Sequence, residues 1–410
     1  MWAYLMEIDY LLQKKRILTL YSLGFLLVFG YAIARPCIDS ILLEHYSNDI
    51  LPKAWLITAI ASIFVIAFYN RFNQKHAILT IYGGISLISA VSLIILLAIF
   101  FMGFIPAIFI LYIWKEIYMV VLMETYWSYA NIVFCTKTAK NRYGRAMTVA
   151  SVGGLLGNLI VSPLALYIGT KATLCFLVIF LLLGFLIAYL ARHIADEKPV
   201  VINNDFNLGV KTLFKSKYLV PLAILVCTVQ VVIGLIDYNF NGLLKEHYVD
   251  TDARTALLGQ IHAAINIFGV MLQFLTGIIL KYVGIAITFS SIPFLLGGFV
   301  LAFVMVPKFL FMILVKISSK TLDYSLLRGT KEILYIPLSR SEKTQGKGII
   351  DIFFYRLAKG LSSLLLFMLI SFDDSSYVMK LSLLLIVLWL ILAIIISKRY
   401  QKLIKASEEV

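Results

Sequence analysis

Between Asp323 and Gly360 the chain reads DYSLLRGTKEILYIPLSRSEKTQGKGIIDIFFYRLAKG. Asp323, Arg328, Lys331 and Glu332 fall inside one long hydrophobic segment, and Asp351, Arg356 and Lys359 inside the next. Arg328 and Lys331 stand at i,i+3, as do Arg356 and Lys359, so on a helix each pair shares a face. Arginine supplies a planar fork for phosphate or carboxylate, and lysine a compact point charge. Together they suit an anion with several oxygens, such as a nucleotide phosphate or a polycarboxylate. A charge at the centre of a bilayer costs between about 2.5 and 17 kcal/mol according to how it is measured, so such residues face a protein interior or water and have a use.

Other charges are embedded elsewhere. The bases are Arg35, Lys115, Lys316 and Lys320, and the acids are Asp39, Glu116, Glu124 and Asp237. Two readings stand side by side. Arg328, Lys331, Glu332, Arg356, Lys359 and Glu116 can contact a solute, or they can lock helices together as ion pairs. Glu332 beside Lys331, and Asp351 near Arg356, are ready internal partners. Arg35 and Asp39, at i,i+4, read as an ion pair or gate, a role also open to Asp237, Asp323 and Asp351. Lys115, Lys316 and Lys320 lie where a long side chain can snorkel to the headgroups. Glu116 and Glu124 are the carboxylates that could carry a proton. Trp127, with Tyr126 and Tyr129 beside it, offers rings for stacking on a nucleobase or for ordinary packing, and Asn131 offers a polar contact.

The elements that position these residues are membrane helices. The 410 residues are 61% hydrophobic, with mean hydropathy +0.94, and only 14% are charged, where a soluble domain has roughly 25%. Apolar runs long enough to span about 30 Å fall near 17–43, 53–70, 77–102, 107–134, 146–168, 172–191, 218–244, 255–280, 284–306, 309–338, 349–371 and 377–397. The first 16 residues place their basic cluster after the apolar ones, the reverse of a signal peptide, and read as a cytoplasmic lead-in to the first helix. The net charge of +14 does not point to nucleic acid. Its residues gather at helix ends on one side, in groups such as Lys14–Arg16, Lys137–Arg145, Lys211–Lys217 and Lys398–Lys405. The positive-inside rule puts both termini in the cytoplasm. Cys37, Cys135, Cys175 and Cys227 have no zinc or disulfide spacing, and no cofactor is implied.

The polar stretch 192–217 divides the chain into six-helix halves, 1–191 and 218–410. LGVKTLFKSKY within it reads as a short basic helix on the membrane surface. The halves show a repeat. GYAIARPCIDSILLEHY (30–46) resembles GLIDYNFNGLLKEHY (234–248) at a shift of 202 residues, and 124–158 lies against the charged stretch at 203. Parallel repeats of this kind are the layout of major-facilitator transporters. The expected fold is therefore an all-α polytopic membrane protein with twelve transmembrane helices in a six-plus-six pseudo-repeat.

TKEILYIPL (330–338), followed by SRSEKTQGKGIIDIFFYRLAKG, resembles the late signature of the ATP/ADP translocases of intracellular bacteria and plastids. YWSYAN (126–131) with TAKNRYG (138–144) is similar to that family's fourth helix and basic loop, and ARPCIDSILL (34–43) to its first. LIDYNFNGLLKEHY (235–248) resembles helix 7 of related bacterial carriers. The resemblance implies nucleotide exchange on a major-facilitator fold, with Lys331, Glu332, Lys359 and Glu116 at positions associated with transport. One position departs: the translocases carry a lysine before the helix 1 aspartate, where this chain has Ile38. The fold and an anionic solute carry over from the resemblance more firmly than strict ATP/ADP exchange does.

The leading expectation is a secondary transporter of an organic anion, a nucleotide first, in a bacterial inner membrane and working as a monomer. The alternative is a proton-driven transporter of a polycarboxylate such as a siderophore, or of another metabolite, and behind it a non-transporting scaffold. No metal spacing, nucleophile elbow or Walker loop supports an enzyme.

Overall fold

Long uninterrupted apolar runs leave the backbone no partner in lipid but itself, so they fold as helices. The computed structural model describes residues 2–73, 76–134, 139–194, 206–339, 341–370 and 376–408, and these are helices joined by short turns, with no strand among them. The first half holds α1 (Trp2–His45), α2 (Ile50–Asn73), α3 (Ile78–Phe101), α4 (Pro106–Val133), α5 (Ala139–Ile168) and α6 (Thr170–Ala191). After a short α7 (Phe206–Lys215) come α8 (Leu219–His247), α9 (Thr251–Tyr282), α10 (Ile285–Met305), α11 (Phe309–Leu322), α12 (Arg328–Leu334), α13 (Tyr355–Ile370) and α14 (Ser376–Glu408).

Among the described residues, eleven helices are long and apolar enough to cross a membrane. The twelfth expected span, 309–338, is a continuous helical run only to Leu334, and Lys316, Lys320, Asp323, Arg328 and Lys331 keep it from qualifying on apolarity. A π-helical segment, Asp323–Leu327, joins α11 to α12. The wider turn leaves carbonyls to be satisfied by side chains, and Gln273 Nε2 donates to the Tyr324 carbonyl at 3.0 Å. Two more π-helical segments, Glu342–Gly346 and Ile349–Phe354, lead into α13. Lys343 and Lys347 ride on this helical stretch. The lead-in to the first span is continuous with α1.

The chain divides into two compact units. Unit 1 comprises Met1–Ser47, Ile60–Val201 and Tyr248–Ala263; unit 2 comprises Asn48–Ala59, Ile202–His247 and Ala264–Val410. Packing within each follows one pattern. In unit 1, α1 packs on α4, α5 and α6, and α3 on α4 and α6; in unit 2, α8 packs on α11, α13 and α14, and α10 on α11 and α14. The repeat in the sequence is thus a repeat of contacts.

Small residues allow the closest of these approaches. On α5, a Cβ at Gly153 would lie 2.6 Å from the Phe25 carbonyl oxygen of α1, and one at Gly157 would lie 2.6 Å from that of Phe29. The short α7, the basic segment between the halves, packs on the helical turns around 342–354 within unit 2. Lys75, Lys137, Lys140, Lys198, Arg340, Lys405 and Cys135 are outside the residues whose side chains are described.

The first turns of α9 are tied into unit 1. Arg254, 2% exposed, donates to the carbonyls of Tyr248 (2.7 and 2.9 Å), Val249 (3.0 Å) and Ser40 (2.9 Å). Asp252 Oδ1 accepts the Thr170 amide at 2.6 Å. In unit 2, Tyr238 donates its hydroxyl to Asp49 Oδ1 at 2.8 Å, and Asn48 Nδ2 donates to the Tyr238 carbonyl at 3.1 Å.

Candidate functional site

Each unit pairs an acid on its first long helix with lysine on its fourth. In unit 1, Lys115 of α4 is 1% exposed and places Nζ 2.5 Å from Asp39 Oδ1 of α1 and 3.4 Å from Glu116 Oε1. The ammonium also lies 3.9 Å from the Tyr112 ring centroid, a cation–π contact. Arg35 Nε is 3.9 Å from Asp39 Oδ2. Tyr31 donates its hydroxyl to Glu116 at 3.2 Å. The charges of Arg35 and Lys115 balance those of Asp39 and Glu116. Glu124, two turns further along α4, is exposed.

In unit 2, Asp237 of α8 receives Lys316 at 2.7 Å and Lys320 at 2.9 Å, both from α11. Lys115, Lys316 and Lys320 are all buried and turned to carboxylates on neighbouring helices. Snorkelling is the wrong description because a buried ammonium gains more from a nearby carboxylate than from reaching for distant headgroups.

Lys331 pairs with Asp351 at 2.8 Å, across to the helical turns before α13, and Lys347 pairs with Glu332 at 2.5 Å. The expected Lys331–Glu332 partnership is absent for a geometric reason: adjacent side chains on a helix point in different directions. Asp323 sits in the π-helical segment within Coulombic reach of Lys320, Arg328 and Lys331. Arg328 and Lys359 are exposed, Arg356 is half-buried, and Lys359 Nζ lies 5.5 Å from the Tyr355 ring centroid. The bases of this region, Lys316, Lys320, Arg328, Lys331, Lys347, Arg356 and Lys359, outnumber its acids, Asp237, Asp323, Glu332 and Asp351.

The aromatic residues of α4 separate into two groups. Tyr126 and Tyr129 are 1% and 0% exposed, so neither offers a face to a solute. Trp127 is half-buried and stacks on Tyr143 of α5, with centroids 6.2 Å apart and planes at 19°. Tyr143 also donates its hydroxyl to the exposed Asn131. Among the described residues no cluster of His, Cys, Asp and Glu is arranged to hold a metal.

Residues 299–400, which carry the bases from Lys316 to Lys359, match the family model described as TLC ATP/ADP transporter. Along most of its length the chain is similar to ADP,ATP carrier protein 3 of Rickettsia bellii, at 22% identity over 92% of this chain and 93% of that one. It is also similar to ADP,ATP carrier protein 1 of Chlamydia muridarum, at 25% identity over 86% and 81%. Solved structures of similar fold include the nucleoside transporter NupG, with TM-score 0.66 and 13% identity over 95% of this chain and 99% of that one. A bacterial homologue of the iron transporter ferroportin gives TM-score 0.66 at 12% identity over 94% and 98%. At such identity these structures speak for the fold alone. By sequence the chain is similar to the ATP/ADP transporters, and by fold it is an all-α integral membrane protein of the major-facilitator type.

Proposed function

We propose that this protein is a secondary transporter that carries a nucleotide across a membrane by alternating access, and is not an enzyme. The observation that carries the reading is the surplus of basic side chains between Lys316 and Lys359, in the part of the chain that matches the ATP/ADP transporter family. A polyanion rewards such a surplus, and a neutral solute does not. The curated relatives, named as ADP,ATP carriers, support a nucleotide as the anion.

In this reading Arg328, Lys331, Arg356 and Lys359 attract and orient the phosphates, and Glu332 tunes Lys347. Arg35–Asp39 and Lys331–Asp351 are ion pairs that break and re-form as the carrier cycles. Glu116, held by Lys115 and Tyr31, and Glu124 are the candidates for proton coupling. Trp127 and Asn131 are already engaged by Tyr143, so a solute contact there requires Tyr143 to move. We read 1–191 and 218–410 as the two halves joined by 192–217. The basic helix ends support cytoplasmic termini in a bacterial inner membrane, and the working unit is a monomer.

Purified protein in proteoliposomes should take up labelled ATP or ADP, faster with ADP inside than with a pH gradient alone. Failure to move any nucleotide would remove the reading. Uptake of polycarboxylates driven only by a proton gradient would replace it with the alternative.

A further inference from the structure

Lys316 and Lys320 stand one helical turn apart on α11 and converge on a single carboxylate. Lys316 Nζ lies 2.7 Å from Asp237 Oδ1, and Lys320 Nζ lies 2.9 Å from Asp237 Oδ2, so each lysine holds its own oxygen. The side chains are 5%, 11% and 18% exposed, in that order. Asp323 lies within Coulombic reach of Lys320 and Arg328, so the group sets Lys316, Lys320 and Arg328 against Asp237 and Asp323 and keeps a net positive charge, which is expensive where the two lysines are buried. A permanent tie between two helices does not need the second lysine. The corresponding cluster of unit 1 manages with one, Lys115, beside Asp39 and Glu116, and is neutral with Arg35 included.

We infer that Lys316 and Lys320 form a phosphate-binding site in which Asp237 occupies the place of the solute. Resting on the nucleotide reading above, this adds two residues to it and a competitor for them. One anionic oxygen per lysine is what a phosphoryl group also presents, with more charge to offer. The Phe240 ring, its centroid 4.9 Å from Lys316 Nζ, keeps that lysine in place when the carboxylate leaves. Asp237, the most exposed of the three, is the partner free to turn away. Solute binding is then the exchange of one anion for another, and its affinity is a difference between two charge-assisted interactions.

The test is calorimetric titration of the full-length protein in detergent micelles at fixed salt, with ADP and with inorganic pyrophosphate as probes. Lys316→Gln and Lys320→Gln should each weaken both probes by about tenfold or more. Asp237→Asn, of the same shape, should tighten both by about tenfold because the competitor is gone. The opposite signs are the signature; in a purely structural triad Asp237→Asn takes a shared carboxylate from two lysines and weakens binding or unfolds the protein. Lys320→Arg keeps the charge and should keep most of the affinity if the glutamine variants fold poorly. If Asp237→Asn alone does not fold, Asp237→Asn with Lys320→Gln should bind more tightly than Lys320→Gln by itself. Changes of the same sign, or no change, overturn the inference while ADP binding by the unmodified protein keeps the nucleotide reading. Binding of pyrophosphate but not ADP sinks the nucleotide and keeps the site; binding of neither sinks both.

Discussion

Replacing Lys115, a residue only 1% exposed, with methionine removes a buried ammonium and keeps most of the aliphatic packing. Asp39 then loses a partner at 2.5 Å and keeps only the more distant Arg35, at 3.9 Å. Truncating one member of a buried ion pair costs about 3–5 kcal/mol, because the other charge remains. Asp39 is 18% exposed and still shares Arg35, which places Lys115→Met at the lower end, about 3 kcal/mol. Asp39→Asn added to Lys115→Met removes the stranded charge, so the double variant should lose less than the two singles together, with a coupling of about 2 kcal/mol. Unfolding in mixed micelles of rising dodecyl sulfate content, followed by tryptophan fluorescence, measures all three variants. Losses that add to within about 0.5 kcal/mol would mean that the two residues do not depend on each other, and the ion-pair account of unit 1 would be wrong.

Arg254→Met leaves the carbonyls of Ser40, Tyr248 and Val249 without their donor and should cost about 2 kcal/mol or more; an unchanged melting temperature in detergent would contradict this. Gly157→Leu must push α1 away from α5, since a Cβ there meets the Phe29 carbonyl at 2.6 Å, and should abolish the monodisperse peak in size-exclusion chromatography. Gly84→Ala, with nothing within 4 Å of the new Cβ, is the control that should elute like the parent. Glu332→Gln breaks an exposed pair with Lys347 and should change stability by no more than about 1 kcal/mol; if uptake nevertheless falls, Glu332 acts on the solute and not on the fold. Lys331→Met should abolish nucleotide uptake while the protein stays folded, and full uptake by that variant would remove Lys331 from the site.

Much of this protein is legible along the chain. Apolar runs, basic helix ends and a 202-residue repeat are one-dimensional patterns, and each reports a property of the bilayer or of a duplicated half. The charged residues between Asp323 and Lys359 also stand out without a structure, because lipid makes any charge conspicuous. Partner choice is a different kind of information. Lys331 meets Asp351, distant in sequence, and not the adjacent Glu332, because neighbouring side chains on a helix diverge. The π-helical segment Asp323–Leu327 had no signal either; it is a backbone adjustment in which Gln273 of α9 satisfies a carbonyl. The basic segment before α8 reads as a surface helix by its composition, and its packing on the turns around 342–354 is visible only in the structure.

The amino-acid sequence by itself determined that this is a membrane protein of repeated helices with charges embedded in its apolar segments, and it carried the likeness to the ATP/ADP transporters. The tertiary structure decided which charges neutralise one another: Asp39 with Lys115, Asp237 with Lys316 and Lys320, Asp351 with Lys331. The physical reason is distance. Solvation and hydropathy act residue by residue and can be summed along a chain. A charge interaction falls off with separation in space, and packed helices bring together side chains that lie far apart in the sequence.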